Sequence, residues 1–61
     1  MEDNIKNKVR ENIRRTMDAL ISATDSLLNN SPNGAIGALL DEDKRITETI
    51  GLIVVLRDYK D

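Results

Sequence analysis

The chain has 61 residues and a formal net charge of −2, and it contains no cysteine and no histidine. A chain of this length forms at most one small domain, which buries only about 60% of the surface that the unfolded chain exposes. The composition excludes disulfides and the common zinc sites. Association with another chain is therefore the means of stabilisation that remains.

The first predicted element is a long amphipathic helix over residues 3–29. Asp3 or Asn4 can cap its N-terminus. Apolar side chains recur at spacings of mostly three and four residues and fill one arc of the helix, while polar side chains fill the opposite arc. The apolar stripe consists of Ile5, Val9, Ile13, Met17, Leu20, Ile21, Thr24, Leu27 and Leu28.

A tight turn is predicted at residues 30–34. The chain there begins with Asn29-Asn30, and asparagine can take the left-handed conformation that ends a helix. Two starts for the next helix remain open. Ser31 can act as the N-cap with Pro32 at the first helical position, or residues 31–34 form a type I turn and the helix starts nearer Ala35.

The second predicted helix spans residues 35–59. Gly37 and Gly51 weaken it by up to about 1 kcal/mol each relative to alanine, so packing must hold it. Asp43 and Arg57 fall on its apolar stripe, where Asp43 marks either a polar layer that fixes the register or the point where burial ends. The stripe consists of Ile36, Leu39, Leu40, Ile46, Thr47, Ile50, Ile53 and Val54.

These elements predict an all-α fold, an antiparallel two-helix hairpin forming a single domain over residues 1–61. We expect the hairpin to associate into a helical bundle or onto a helical partner. The two stripes are expected to face each other. This arrangement places Leu28 near Ile36, Met17 near Ile46, Ile13 near Ile50 and Val9 near Ile53.

Residues 52–56 are apolar on every side of the second helix. Ile53 and Val54 can face the first helix, whereas Leu52, Val55 and Leu56 cannot all do so. Burying each apolar side chain fully stabilises by roughly 1.5–3 kcal/mol, so this end is predicted to be an interface, with either a second copy or a different protein. A strand here is the minor alternative, because no other segment could pair with it. The predicted partner-binding residues are Ile50, Leu52, Ile53, Val54, Val55 and Leu56.

The sequence does not favour an enzyme, a metal site or a cofactor. Without histidine or cysteine, and with no serine in a nucleophile motif, nucleophilic and acid–base catalysis lack their usual side chains. The run Asp41-Glu42-Asp43 lacks the glycine turn and the spaced ligands of a calcium loop, so it is predicted to be a solvated face.

Basic side chains are concentrated in the first fifteen residues. Lys8, Arg14 and Arg15 are the candidates for phosphate contact, in an alternative hypothesis of a homodimeric four-helix bundle with an RNA-binding or regulatory role. Acidic and amide residues interrupt the basic series, and no aromatic side chain is placed for base stacking. The main interpretation therefore includes no nucleic acid.

Neither a signal peptide nor a membrane-spanning segment is predicted from the sequence. No apolar run follows a basic start, as a signal peptide requires. The longest apolar run, residues 52–56, is far shorter than the ~20 residues of a membrane span. We expect a soluble, cytoplasmic protein that does not enter a membrane.

The sequence resembles the small helical-hairpin co-chaperones of the type III secretion needle subunit. The likeness lies in Val9-Arg10, Ala19-Leu20, Leu27-Leu28 before the turn, Glu42, Lys44, and Ile50-x-x-Ile53 in an apolar helical end, and it covers most of the chain.

The resemblance implies a protein that pairs with a larger helical-repeat chaperone, which keeps the needle subunit soluble and monomeric before export. The small hairpin would mainly stabilise that larger chaperone and make little contact with the needle subunit. Interface residues carried over from the family are Ile50, Ile53, Val54 and Leu56. Leu52 and Val55 are added from the periodicity alone.

Overall fold

The computed structural model describes residues 2–59, with side-chain exposure for residues 3–58. Two helices, α1 (Glu2–Leu28) and α2 (Pro32–Tyr59), pack against each other along their length. The predicted all-α hairpin is confirmed. No strand occurs among the described residues, so the alternative of a strand at 52–56 is wrong. Residues 1, 60 and 61 of the predicted domain lie outside the described residues.

The turn joins the helices with only three residues between them. Asn30 has a positive φ of 59°. The N–H of Ser31 donates to the carbonyl of Ser26 at 2.8 Å, and the N–H of Asn30 donates to that of Leu27 at 3.1 Å. This pair of bonds is a Schellman motif, which satisfies the last carbonyls of α1.

The second helix begins three residues before the predicted start at residue 35. The carbonyl of Ser31 accepts hydrogen bonds from the N–H groups of Gly34 at 3.1 Å and Ala35 at 3.3 Å, with Pro32 as the first helical residue. Of the two starts left open, the Ser31–Pro32 start is the one observed. The first helix ends at Leu28, one residue before the predicted end.

Replacing Asn30 with alanine is expected to lower the free energy of unfolding by about 1 kcal/mol. The left-handed conformation is unfavourable for residues with a Cβ, and it is less unfavourable for asparagine than for alanine. Asn30→Gly should leave stability unchanged or raised. Thermal unfolding followed by circular dichroism at one fixed concentration measures both. Asn29→Ala, at an exposed position without a positive φ, is the control, and equal losses for the two alanine variants would contradict the prediction.

The contact between the helices, which we call the seam, is formed mostly by small and polar side chains, with larger aliphatic side chains at the open end of the hairpin. Its members recur at alternating spacings of three and four residues, the spacing of a coiled coil. With the addition of Glu11, they are the only side chains among residues 3–58 that are buried or half-buried. The seam consists of Ile5, Val9, Asn12, Thr16, Ala19, Ala23 and Ser26 from α1, and Ala35, Ala38, Glu42, Arg45, Thr49, Leu52 and Leu56 from α2.

Hydrogen bonds satisfy most of the polar groups at the middle of the seam. The side-chain amide of Asn12 donates to Glu48 on the other helix at 2.9 Å. Arg45 donates to Glu42 Oε2 at 2.5 Å, and the Thr49 hydroxyl donates to the Arg45 carbonyl at 2.7 Å. Glu42 Oε1 is buried and accepts no hydrogen bond from the part of the chain that the structure describes.

The acidic run is therefore only partly solvated. Asp41 and Asp43 are exposed, as predicted, but Glu42 is only 3% exposed, so the prediction of a solvated face is wrong for this residue. Glu42 follows Ala35 by seven residues, which is two helical turns, and this spacing places it on the seam.

The prediction that the two large apolar stripes bury each other is wrong. Leu28 is 76% exposed and Ile36 is 56% exposed. From residue 12 onward on α1, and throughout α2, the seam runs one residue before the stripe, as Ala35 before Ile36 shows, so these parts of the helices are turned by about 100° from the predicted phase. Ile5 and Val9, at the start of α1, do lie in the seam as predicted. Alanine side chains at the seam allow the two backbones to approach closely, and the large side chains are left on one flank.

At the open end of the hairpin, the residues of α2 that face α1 also differ from the predicted ones. Leu52 and Leu56 are half-buried at the seam, whereas Ile53 is 45% and Val54 is 36% exposed. The prediction that Ile53 and Val54 face the first helix is wrong. The heptad spacing continues from Thr49 to Leu52 and Leu56, which explains why these two leucines face α1.

Candidate protein-binding face

Large apolar side chains cover one side of the hairpin, which we call the apolar face. Each of these side chains lies one or two residues after a seam residue. Because the helices are antiparallel, this shared offset places the large side chains of both helices on the same side of the hairpin. Every member is at least one-third exposed. The apolar face consists of Ile13, Met17, Leu20, Ile21, Leu27 and Leu28 from α1, and Ile36, Leu39, Leu40, Ile46, Ile50, Ile53 and Val54 from α2.

A cavity of about 180 Å³ opens on the middle of this face. Its walls come from both helices and its base from two threonines of the seam. An apolar cavity of about 150 Å³ holds a molecule the size of benzene, so this one has room for the end of one aliphatic or aromatic side chain. It is lined by Ile13, Thr16, Met17, Ile46, Thr49, Ile50 and Ile53.

The structure divides the six predicted partner-binding residues into three groups. Ile50, Ile53 and Val54 lie on the apolar face. Val55 is 48% exposed but lies three residues after Leu52, on the other flank of the seam. Leu52 and Leu56 are half-buried against α1 and are not open to a partner in this conformation.

Sequence reasoning missed the contribution of the first helix to this surface. Leu20, at 44% exposure, and Ile21, at 61%, were expected to pack against α2. The available signal was the alternation of small residues immediately before large ones, as in Ala19-Leu20 and Ala35-Ile36. That alternation predicts two adjacent surfaces, one for close helix contact and one for a larger partner.

The candidate phosphate-contacting arginines are paired with carboxylates of their own helix. Arg14 donates to both oxygens of Glu11, at 2.7 and 3.2 Å, and to Asp18 at 3.2 Å. Arg15 donates to Glu11 at 3.1 Å. These pairs lie on the exposed side of α1, where a phosphate would have to compete with the carboxylates for the guanidinium groups. Lys8 is exposed on the same helix.

This cluster changes the ionisation of its members. Hydrogen bonds from Arg14 and then Arg15 lower the pKa of Glu11 from 4.5 to about 2. The hydrogen bond to Glu11 raises the pKa of Arg14. Because the pKa of Glu11 is lowered on folding, its contribution to stability is fully present above about pH 4.5 and is lost as the pH falls towards 2.

Nuclear magnetic resonance titration of the glutamate carboxyl groups should show the inflection of Glu11 near pH 2. Replacing Arg14 with glutamine is expected to return the pKa of Glu11 towards 4.5, because it removes the strongest hydrogen bond. Arg10→Gln is the matched control and should leave the titration unchanged. If the pKa of Glu11 is the same with and without the Arg14 substitution, the ion pair between Arg14 and Glu11 does not form in solution.

Comparison with protein-family models, with curated proteins and with solved structures gives no match. Within residues 2–59, neither helix is long and apolar enough to cross a membrane.

Proposed function

We propose that the chain is a binding subunit that acts by packing its apolar face against a helical protein partner. In the specific form implied by the family resemblance, it is a small co-chaperone that stabilises a larger helical-repeat chaperone of the type III secretion needle subunit in the cytoplasm. The single observation that carries the proposal is the apolar face, whose thirteen large side chains the hairpin leaves exposed. Contiguous apolar surface of this extent marks an interaction site.

A helical partner fits the spacing of the face. Ile13, Leu20 and Leu27 recur every seven residues on α1. On α2, Leu39 and Ile53 are separated by fourteen residues, which is twice this repeat. Side chains of another helix insert into holes with this repeat. The central cavity is one such hole, with room for one large apolar side chain.

The alternative of an RNA-binding bundle receives less support. Arg14 and Arg15 direct their donors to Glu11 and Asp18. A phosphate would have to displace these carboxylates before it could bind.

Co-expression with the helical-repeat proteins encoded beside it, followed by native mass measurement, tests the proposal. We expect a stable complex with one such protein and more of that protein in the soluble fraction than when it is expressed alone. Absence of any complex with helical-repeat neighbours would refute the co-chaperone role. Binding to RNA that weakens steeply as salt rises would instead support the alternative.

A further inference from the structure

The apolar face extends over about half of the hairpin. Its members lie within residues 13–28 on α1 and residues 36–54 on α2, which span about 23 and 27 Å at 1.5 Å per residue. The hairpin itself is 48 Å long. A face of this length has room for one amphipathic helix of about five turns, laid along the groove between α1 and α2.

Two arginines border the central cavity on the side of the open end. Arg10 precedes Met17 by seven residues on α1. Arg57 follows Ile50 by seven residues on α2. Met17 and Ile50 line the cavity, and seven residues make two helical turns, so both arginines lie on the cavity side of their helices. Each is exposed and lies one turn beyond the cavity-lining residue nearest the open end.

The carboxylates near these arginines do not occupy them fully. Arg57 donates to Asp58 at 3.2 Å, but the two side chains are 71% and 65% exposed, and exposed pairs of this kind contribute little. Arg10 has no hydrogen bond or ion pair with side chains of residues 2–59. Farther towards the open end, the same side of α1 holds Asp3 and Lys6, which carry opposite charges. Arg10 and Arg57 can therefore bind a carboxylate on a docked helix.

One carboxylate borders the cavity on the side of the turn. Asp43 precedes Ile50 by seven residues, so it lies on the same side of α2 as Ile50 and Arg57. It is one helical turn before Ile46, which lines the cavity. Its side chain is exposed and makes no hydrogen bond or ion pair within the described part of the chain. A helix that covered Asp43 with apolar side chains would remove its water without replacing the hydrogen bonds, which is unfavourable for a charged group.

The face therefore has a charge pattern along its length, with the cavity in the middle. Asp43 and Arg57 are fourteen residues apart, or about 21 Å at 1.5 Å per residue, and Ile50 lies halfway between them. The carboxylate is towards the turn, and the guanidinium groups are towards the open end. A helix with the opposite charges at the same spacing would pair with both ends while its centre stays apolar.

We propose that the partner helix bound by the apolar face has a large apolar side chain at its centre, a lysine or arginine towards the turn of the hairpin and an aspartate or glutamate towards its open end. The apolar side chain fills the cavity, the basic side chain pairs with Asp43, and the acidic side chain pairs with Arg10 and Arg57. Apolar contact supplies affinity, and the charges exclude helices that carry like charges at these positions. This inference rests on the proposed function and specifies the chemistry of the partner.

Two crosslinked helical peptides of about 18 residues, the length of the face on α2, serve as the probes. Each has leucines at alternating spacings of three and four residues along one side and a phenylalanine at the centre. The peptides differ only at the positions seven residues before and after the phenylalanine. One carries lysine and glutamate there, and the other carries glutamate at both positions.

Titration calorimetry at low ionic strength measures the affinities. The two-glutamate peptide should bind at least about tenfold more weakly than the lysine–glutamate peptide, because one glutamate meets Asp43 in either orientation of the peptide. Asp43→Lys should raise the affinity for the two-glutamate peptide by at least about tenfold. Asp41→Lys makes the same charge change at an exposed position outside the face and should not restore this affinity. Circular dichroism should show unchanged helix content in both variants.

Three results would overturn the inference. Equal affinity of the two peptides for the unchanged chain, or no gain from Asp43→Lys, would mean that the charges do not select the partner. Failure of both peptides to bind would mean that a single helix does not occupy the face. A dimer of the chain alone that neither peptide dissociates would assign the face to a second copy. In each case a complex with a co-expressed helical-repeat protein would still support the proposed function.

Discussion

Replacing Leu20 with aspartate is expected to abolish partner binding while leaving the hairpin folded. Leu20 lies on the apolar face at 44% exposure, between the central cavity and the turn. The change removes an apolar contact worth roughly 1.5–3 kcal/mol and places a carboxylate in a surface that must lose its water. Together these effects lower affinity by at least about a hundredfold, or about 3 kcal/mol. Titration calorimetry with the purified partner measures the loss.

The matched control is Ser22→Asp, which adds the same charge on the same helix. Ser22 is exposed and lies outside the apolar face. It should bind like the unchanged chain. Equal loss of affinity in both variants would mean that net charge rather than the apolar face governs binding, and an unaffected Leu20→Asp variant would remove the face from the interface.

Replacing Glu42 with leucine is expected to raise the free energy of unfolding by roughly 1–3 kcal/mol. Glu42 is buried at the seam, and its Oε1 has no hydrogen-bond partner among residues 2–59. A buried polar atom left without a partner costs about 1–3 kcal/mol. Its one partner, Arg45, keeps about a third of its side chain in water and so loses little when the carboxylate is removed. Leucine has no polar atom that burial at the seam would leave without a hydrogen-bond partner.

Chemical denaturation of wild type and variant at one protein concentration measures the difference, because association would otherwise alter the apparent stability. Asp41→Leu is the control. Asp41 is the exposed neighbour of Glu42, so its replacement should change stability by no more than about 0.5 kcal/mol. Destabilisation by Glu42→Leu would show that the carboxylate is needed at the seam, for example to fix the register of the helices.

The elements of the fold were predictable because their signals are local. The amphipathic repeat identified both helices, and the sequence from Asn30 to Pro32 contains the residues that a left-handed helix end and a helix start require. The start of α2 differed by three residues from the predicted one because two turn geometries fit the same residues, and only the hydrogen bonds of Ser31 decide between them.

The contact between the helices was not predictable from hydrophobicity. An apolar arc of about 160° is wider than one neighbouring helix can cover, so the pattern does not say which part of it faces the other helix. Periodicity put Ile13 and Ile50 inside. The structure instead puts Asn12 and Thr49 there, one residue earlier. The choice depends on side-chain size, which hydrophobic periodicity does not measure.

The short turn has a consequence for the speed and order of folding. The contacts between the two helices join residues on either side of Asn30, so the separation of the contacting residues along the chain increases steadily from the turn to the open end. Most contacts lie within one helix, and helical folds dominated by local contacts form in microseconds to milliseconds. Contacts beside the turn, such as Ala23 with the start of α2, close the shortest loops and are expected to form first. Those of Ile5 and Leu56 form last and open first, so the hairpin should fray from its open end.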